Sequence, residues 1–184
     1  MTELSSVIQA LSDGGVIAYP TEAVYGLGCD PDNEAAVMAL LAIKQRPVEK
    51  GLILIAADYS QLLPYVNDSA IPQEKRFEIF SSWPGHVSWV LPASSKAPKW
   101  VTGQFDSIAV RVSAHPVVQQ LCRAFGKPLV STSANLSGQP SITDPVELAQ
   151  SLGALLSAIM PGALGGAAQP SQIRNALTGD IVRS

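Results

Sequence analysis

The chain has 184 residues, a net charge of −3, 47% hydrophobic and 15% charged residues. That balance excludes wholesale disorder, which needs low hydrophobicity and high charge, and it supplies the core of one domain covering 1–184. The 14 Gly and 14 Pro follow no period, no apolar run approaches the ~20 residues of a membrane helix, and the start Met1-Thr-Glu-Leu has neither part of a secretory signal.

In chain order, Leu4, Val7, Ile8 and Leu11 share one face of a short helix stopped by Gly14-Gly15. Val16 to Tyr19 reads as a buried strand ended by Pro20. Asp32 is placed to cap a helix from Asn33 to about Lys44, with Ala36, Val37, Leu40 and Leu41 on its apolar face and Pro47 beyond its end. Gly51 to Ala56 is a continuous apolar run of central-strand type. Short helices are expected over Tyr59–Tyr65 and Gln73–Phe80, and strands over His86–Leu91 and Ser107–Val112. Pro116 starts a helix that runs to Phe125 and stops at Gly126. Leu129-Val130 opens another strand, followed by a helix near Pro145–Leu152 and a strand near Ala158–Met160. Ser171–Ser184 reads as a hairpin around Thr178-Gly179-Asp180. The mixture without strict alternation implies a single α/β or α+β domain with a twisted mixed sheet and flanking helices.

Cys29 and Cys122 form no CxxC pair and read as reduced, buried thiols of a cytoplasmic protein. With two isolated His they leave no structural zinc set. Charge is unevenly spread. Residues 1–43 hold six acids and no Lys or Arg, whereas residues 44–127 hold ten of the twelve basic residues against six acids, net +4. A local basic field on an acidic chain suits a bound anion better than a long duplex. Lys75, Arg76, Lys96 and Lys99 read as ordinary solvated charges.

Four clusters can carry chemistry. In Tyr19-Pro-Thr-Glu-Ala-Val-Tyr-Gly-Leu-Gly28 the Thr21-Glu22 pair follows a strand end and two glycines permit close backbone approach. It serves either a ligand at a strand mouth or a tight turn. Lys44-Gln-Arg-Pro-Val-Glu-Lys50 sets three cations within seven residues at a helix end. They either complement the helix dipole or grip an anion, and the second reading is preferred. Leu129-Val-Ser-Thr-Ser-Ala-Asn-Leu-Ser-Gly138 ends a strand in hydroxyls and one amide, which implies a polar ligand or a set of backbone caps. Arg111 interrupts the apolar run Ile108–Val112 and is either edge-exposed or paired in a pocket. His115 before Pro116 reads as a cap or a satisfied polar group rather than a catalyst, His86 has the same standing, and no Ser/His/Asp triad is in view.

Together with Trp83-Pro-Gly85 and Ala109-Val-Arg-Val112 followed by His115-Pro116, these segments resemble the YrdC/TsaC family in its short bacterial form. The long form adds a C-terminal domain, for which no room is expected after Ser184. The resemblance implies an open sheet curved around a concave basic face. It implies a synthase that condenses L-threonine, bicarbonate and ATP into threonylcarbamoyl-AMP, releasing pyrophosphate. Downstream proteins would then transfer the threonylcarbamoyl group to adenosine 37 of tRNAs reading ANN codons. Double-stranded RNA or tRNA is a further implied partner, and a membrane is not.

By the same resemblance the catalytic set is the K-x-R pair Lys44 and Arg46 with the S-x-N pair Ser133 and Asn135. Thr21, Arg111, Ser131 and Ser171 would hold threonine, with Val24 or Leu27 at its methyl. Lys44, Lys50, Ser107, Ser133, Ser141 and Arg183 would hold ATP, and Tyr25 and Lys50 would be pocket walls. Mg²⁺ would arrive with the ATP, and no tightly bound protein-liganded metal is expected. Two places depart from the family pattern. Lys50-Gly-Leu-Ile-Leu-Ile55 lacks the Asn-Pro-Leu and downstream His of long members, and His86 and Ser88 stand where Pro and Thr are usual. The competing expectation is a non-catalytic module for RNA binding or ribosomal RNA maturation, though only 6% of residues are aromatic. A related carbamoyl-transfer enzyme of hydrogenase maturation would be much longer, with zinc-finger and acylphosphatase-like regions.

Overall fold

A computed structural model describes residues 3–136 and 138–183. Met1, Thr2, Ser137 of the hydroxyl-rich motif and Ser184 of the expected hairpin lie outside the described residues. The elements are α1 (Leu4–Ser12), β1 (Ile17–Pro20), β2 (Tyr25–Gly28), α2 (Glu34–Lys44), β3 (Ile53–Ala56), α3 (Arg76–Ser81), β4 (Val87–Pro92), α4 (Lys99–Thr102), β5 (Ser107–Val112), α5 (Pro116–Phe125), β6 (Leu129–Ser133), α6 (Pro145–Leu152), β7 (Ala158–Ile159), β8 (Gln172–Asn175) and β9 (Ile181–Arg183). The strands form one mixed sheet in the order β7-β1-β2-β6-β3-β5-β4-β8-β9. β7–β1, β3–β5 and β4–β8 are parallel and the other pairs antiparallel.

Local chemistry sets most element ends. α5 has Pro116 in its first turn, His115 Nδ1 accepting from the Val117 amide at 3.1 Å, and Gly126 in the left-handed region at φ 79°. His115 is therefore the cap it was expected to be. The cap of α2 differs from expectation. Asn33 Oδ1 accepts from the Ala36 amide at 3.0 Å. Asp32, one residue earlier, pairs with Lys127 at 2.6 Å and accepts from the Tyr65 hydroxyl at 2.8 Å. A charged partner from across the fold outcompetes the helix end for its carboxylate. The expected helix over Tyr59–Tyr65 is a 3-10 turn, Tyr59–Leu62, and that over Gln73–Phe80 divides into a 3-10 turn, Gln73–Lys75, and α3. Short α4 was not foreseen.

β2 is the larger correction, since Tyr25–Gly28 is a fully buried strand between β1 and β6 rather than a loop. Its glycines permit the close approach. A Cβ on Gly28 would sit 2.5 Å from the Val130 carbonyl oxygen and 2.7 Å from the Tyr19 ring. Backbone cannot yield as a flexible side chain can, so Gly28→Ala should lower stability by about 2–3 kcal/mol, read as a shifted urea midpoint.

Side-chain alternation then gives the sheet two different faces. Leu27, Leu54, Trp89, Ile108, Val110 and Val130 point into the main core with Val37, Leu40 and Leu41 of α2. On the opposite face, Ile17, Tyr19, Ile55 and Leu129 pack under Val7 and Leu11 of α1 and Val118 and Leu121 of α5. Those two helices cover one end only, and the rest of that face is open as a cavity. Cys29 and Cys122 are buried free thiols, and desolvation pushes both up to about 12.

Candidate active site

The cavity measures about 530 Å³, and the sheet forms its floor: Gly26 of β2, Ile53 of β3, Val90 of β4, Ala109 of β5 and Ser131 of β6 all line it. Of the residues the sequence placed at the site, all line it except Asn135, Tyr25 and Leu27. Lys44, Arg46, Lys50, Arg111 and Arg183 bring five cations to its walls, and no Asp or Glu is among its described lining residues. Such a site favours anions, as the central concentration of basic residues implied. Lys96 and Lys99 are exposed and Arg76 is paired with Asp68, all away from the cavity.

At one end, Lys44 is the last residue of α2 and reaches across to the end of β6. Its Nζ donates to the Ser133 carbonyl at 2.7 Å, to the Asn135 carbonyl at 3.3 Å and to Asn135 Oδ1. Ser133 Oγ donates to Asn135 Oδ1 at 3.0 Å, and Asn135 Nδ2 donates to the Gln139 carbonyl at 2.7 Å. The K-x-R and S-x-N pairs thus meet in space, with Asn135 held just behind the cavity wall. Burial, then the charge of Arg46, lowers the Lys44 pKa. Gln45, in the left-handed region at φ 49°, ends the helix and turns the chain toward Arg46. Arg46 donates through Nε and Nη2 to the Gly51 carbonyl at 3.2 and 3.0 Å, which fixes the guanidinium plane.

Arg111, on β5, holds the other end. It is 5% exposed, and the partner expected to come from a substrate is already in the chain. Arg111 Nη1 donates to Glu22 Oε2 at 2.5 Å and to His86 Nδ1 at 3.2 Å. Ser113 Oγ donates to Glu22 Oε1 at 2.9 Å. Among the described residues Arg111 Nε and Nη2 have no partner, so one fork edge is uncommitted. Arg183 donates to the Ser171 carbonyl at 3.0 and 2.8 Å and to Ser171 Oγ at 3.1 Å, and that hydroxyl also meets Ser88 Oγ at 3.0 Å. Thr21 Oγ1 donates to the Val24 carbonyl at 2.6 Å, keeping only its acceptor capacity for a ligand. Lys50, Ser107 and Ser141 line the walls, as does Val24. Tyr25 and Leu27 do not. Tyr25 is 2% exposed with its hydroxyl on the Gly162 carbonyl at 3.3 Å, and Leu27 is in the main core. Both belong to β2, whose odd-numbered residues face away from the cavity.

Sequence reasoning put Glu22 in the pair at the strand mouth and gave His86 the standing of a cap, but placed neither of them, nor Ser88, among the residues that hold substrate. A signal existed for the first: a buried Arg in an apolar strand demands a buried carboxylate. Burial alone would raise the Glu22 pKa, but the adjacent His86 ring, the Arg111 charge and the Ser113 hydroxyl outweigh it and hold the carboxyl at about 2. A carboxyl depressed from 4.5 contributes stability that is complete above its unfolded value and lost as pH falls toward about 2. The protein should therefore lose about 2 kcal/mol between about pH 5 and about pH 3 from this group alone. Urea midpoints measured across that range should fall steeply for the wild type and less steeply for Glu22→Gln.

Comparison with known proteins follows from this geometry. A family model named Sua5_yciO_yrdC, described as "Telomere recombination", matches residues 9–184. A threonylcarbamoyl-AMP synthase of Yersinia enterocolitica is 61% identical over 180 residues, covering 98% of this chain and 94% of that protein. One from Serratia proteamaculans is 60% identical over 177 residues, covering 96% and 93%. The crystal structure of P. abyssi Sua5 complexed with L-threonine superposes with a TM-score of 0.86 at 31% identity, over 94% of this chain and 50% of that one.

Proposed function

The chain belongs to the Sua5/YciO/YrdC family, and from that membership we propose that it is a threonylcarbamoyl-AMP synthase. In this reading L-threonine, bicarbonate and ATP become threonylcarbamoyl-AMP, pyrophosphate and water. The threonine amine and bicarbonate give a carbamate with loss of water. A carbamate oxygen then bonds to the α-phosphorus as the bond to pyrophosphate breaks. The observation that carries the reading is the pairing of two anion grips in one cavity: Lys44, Arg46 and Ser133, backed by Asn135, at one end, and the uncommitted edge of Arg111 at the other.

Lys44 and Arg46 neutralise the phosphates as pyrophosphate leaves, and Ser133 and Asn135 orient the α-phosphate or carbamate oxygens. Catalysis is then positioning plus charge stabilisation. Lys50, Ser107, Ser141 and Arg183 contact the nucleotide. Thr21, Arg111, Ser131 and Ser171 hold threonine, Arg111 taking its carboxylate in a two-pronged grip. Mg²⁺ enters as part of the ATP substrate, held by phosphates and water. The product passes, in the cytoplasm, to proteins that transfer the threonylcarbamoyl group to tRNA.

The test is incubation with ATP, radiolabelled bicarbonate and L-threonine. A labelled adenylate and pyrophosphate release dependent on both co-substrates are expected; release equally fast without threonine would mean a plain ATPase. Substrate analogues sharpen it. Serine lacks a methyl, which costs about tenfold in efficiency, whereas valine leaves the hydroxyl's polar partners unpaired and costs more. Serine should therefore outperform valine in kcat/KM, and the reverse order would contradict a polar pocket.

A further inference from the structure

His86 lines the cavity at the turn that leads into β4, with its side chain 28% exposed, and the reaction described above gives it no part. Its two ring nitrogens do different things. Nε2 lies 2.7 Å from the Gln169 carbonyl oxygen, which can only accept, so Nε2 carries the hydrogen. Nδ1 is then an acceptor, and it receives a hydrogen bond from Arg111 Nη1 at 3.2 Å. Glu22 Oε2 receives the other hydrogen of the same Nη1 at 2.5 Å, and stands 3.7 Å from His86 Nδ1. Both hydrogens of Nη1 are thereby committed on one side of the guanidinium. The group cannot rotate about its own axis without breaking one of them. Its Nε–Nη2 edge is the edge that remains for a ligand, and two parallel N–H bonds from such an edge match a carboxylate. The Nε2 tether acts on a second element of the same pocket: Gln169 is two residues from Ser171, and Pro170 and Ser171 both line the cavity.

We propose that His86 is a positioning residue for the amino-acid substrate, orienting the Arg111 fork toward the substrate carboxylate through its Nδ1 acceptor. The proposal rests on the synthase reading above, in which that carboxylate belongs to threonine. Glu22 supplies the charge that keeps Arg111 in place, and His86 supplies the direction. A residue that only filled space at this turn would affect folding and leave affinity for the two substrates equally changed or equally untouched.

The test compares threonine and ATP binding by titration calorimetry in the full chain for wild type, His86→Ala, His86→Asn and His86→Gln, with melting temperatures alongside. Asn sets a carbonyl oxygen near the Nδ1 position and restores the acceptor for Arg111. Gln reaches the Nε2 position and restores only the tether to Gln169. His86→Ala should weaken threonine about tenfold, the effect of about 1.4 kcal/mol, and leave ATP within about twofold. His86→Asn should recover most of the loss and His86→Gln should not. Should the Ala variant fail to fold, the Asn and Gln variants decide the matter between them. Recovery by Gln instead of Asn overturns the proposal, as does equal weakening of threonine and ATP. A wild type that binds no threonine overturns the synthase reading and this inference together. A wild type that binds threonine, with His86→Ala within about twofold of it, overturns this inference alone.

Discussion

Lys44→Ala should lower the rate of adenylate synthesis about 10²–10³-fold, the usual cost of removing one preorganised donor from a developing charge. Its ammonium joins the end of α2 to the end of β6 through the carbonyls of Ser133 and Asn135. Ser133 lines the cavity, so water can replace the lost donor there, and Ala is the best helix former at the vacated position. The fold should therefore survive with a loss of about 1 kcal/mol. Lys44→Arg should also be crippled, because a planar fork cannot reproduce a compact point charge with three divergent donors. Pyrophosphate release, ATP titration and circular dichroism separate the outcomes. Full synthesis by Lys44→Ala would reduce the residue to a cross-link at a helix end.

Arg111→Ala should be the most destabilising single change at the site, by about 3–5 kcal/mol, because it leaves Glu22 buried without its counter-charge. The Glu22 side chain is 13% exposed and that of Arg111 7%, so the orphaned carboxylate loses its main partner where solvent reaches it poorly. Arg111→Ala combined with Glu22→Gln should recover a large part of the loss, since a neutral amide needs no cation. Urea denaturation of the two single variants and the double variant closes that cycle. Strict additivity would show that the pair at 2.5 Å contributes nothing. Arg111→Lys preserves the charge and loses the fork. It should fold, retain ATP affinity and require about 10–100-fold more threonine. Loss of ATP affinity with threonine affinity intact would reverse the assignment of the two ends of the cavity.

What could be read from the sequence was what near neighbours determine. Pro116 and Gly126 bound α5 by their own backbone preferences, and Ser107–Val112 is a strand with its polar residues on alternate positions. The proposed catalytic and substrate-binding set came from motifs, K-x-R and S-x-N above all, rather than from spacing. Tyr25–Gly28 was not legible as a strand, because two of its four residues are glycine and its conformation is imposed by β1 and β6 on either side. Asp32 could not be read correctly either, since Lys127 competes for it from far along the chain. The same holds for the centre of the site. Lys44 and Ser133 are 89 residues apart, as are Glu22 and Arg111. Their meeting depends on the strand order β2-β6-β3-β5, which no local pattern encodes. The sequence by itself determined where α1, α2, α5 and α6 and strands such as β3 and β5 would lie, because propensity, capping and alternation act over a few residues. Only the tertiary structure decided that Arg111 is paired within the chain, that Tyr25 and Leu27 turn away from the cavity, and that His86 stands beside the fork, because sheet order and register set which side chains share a face.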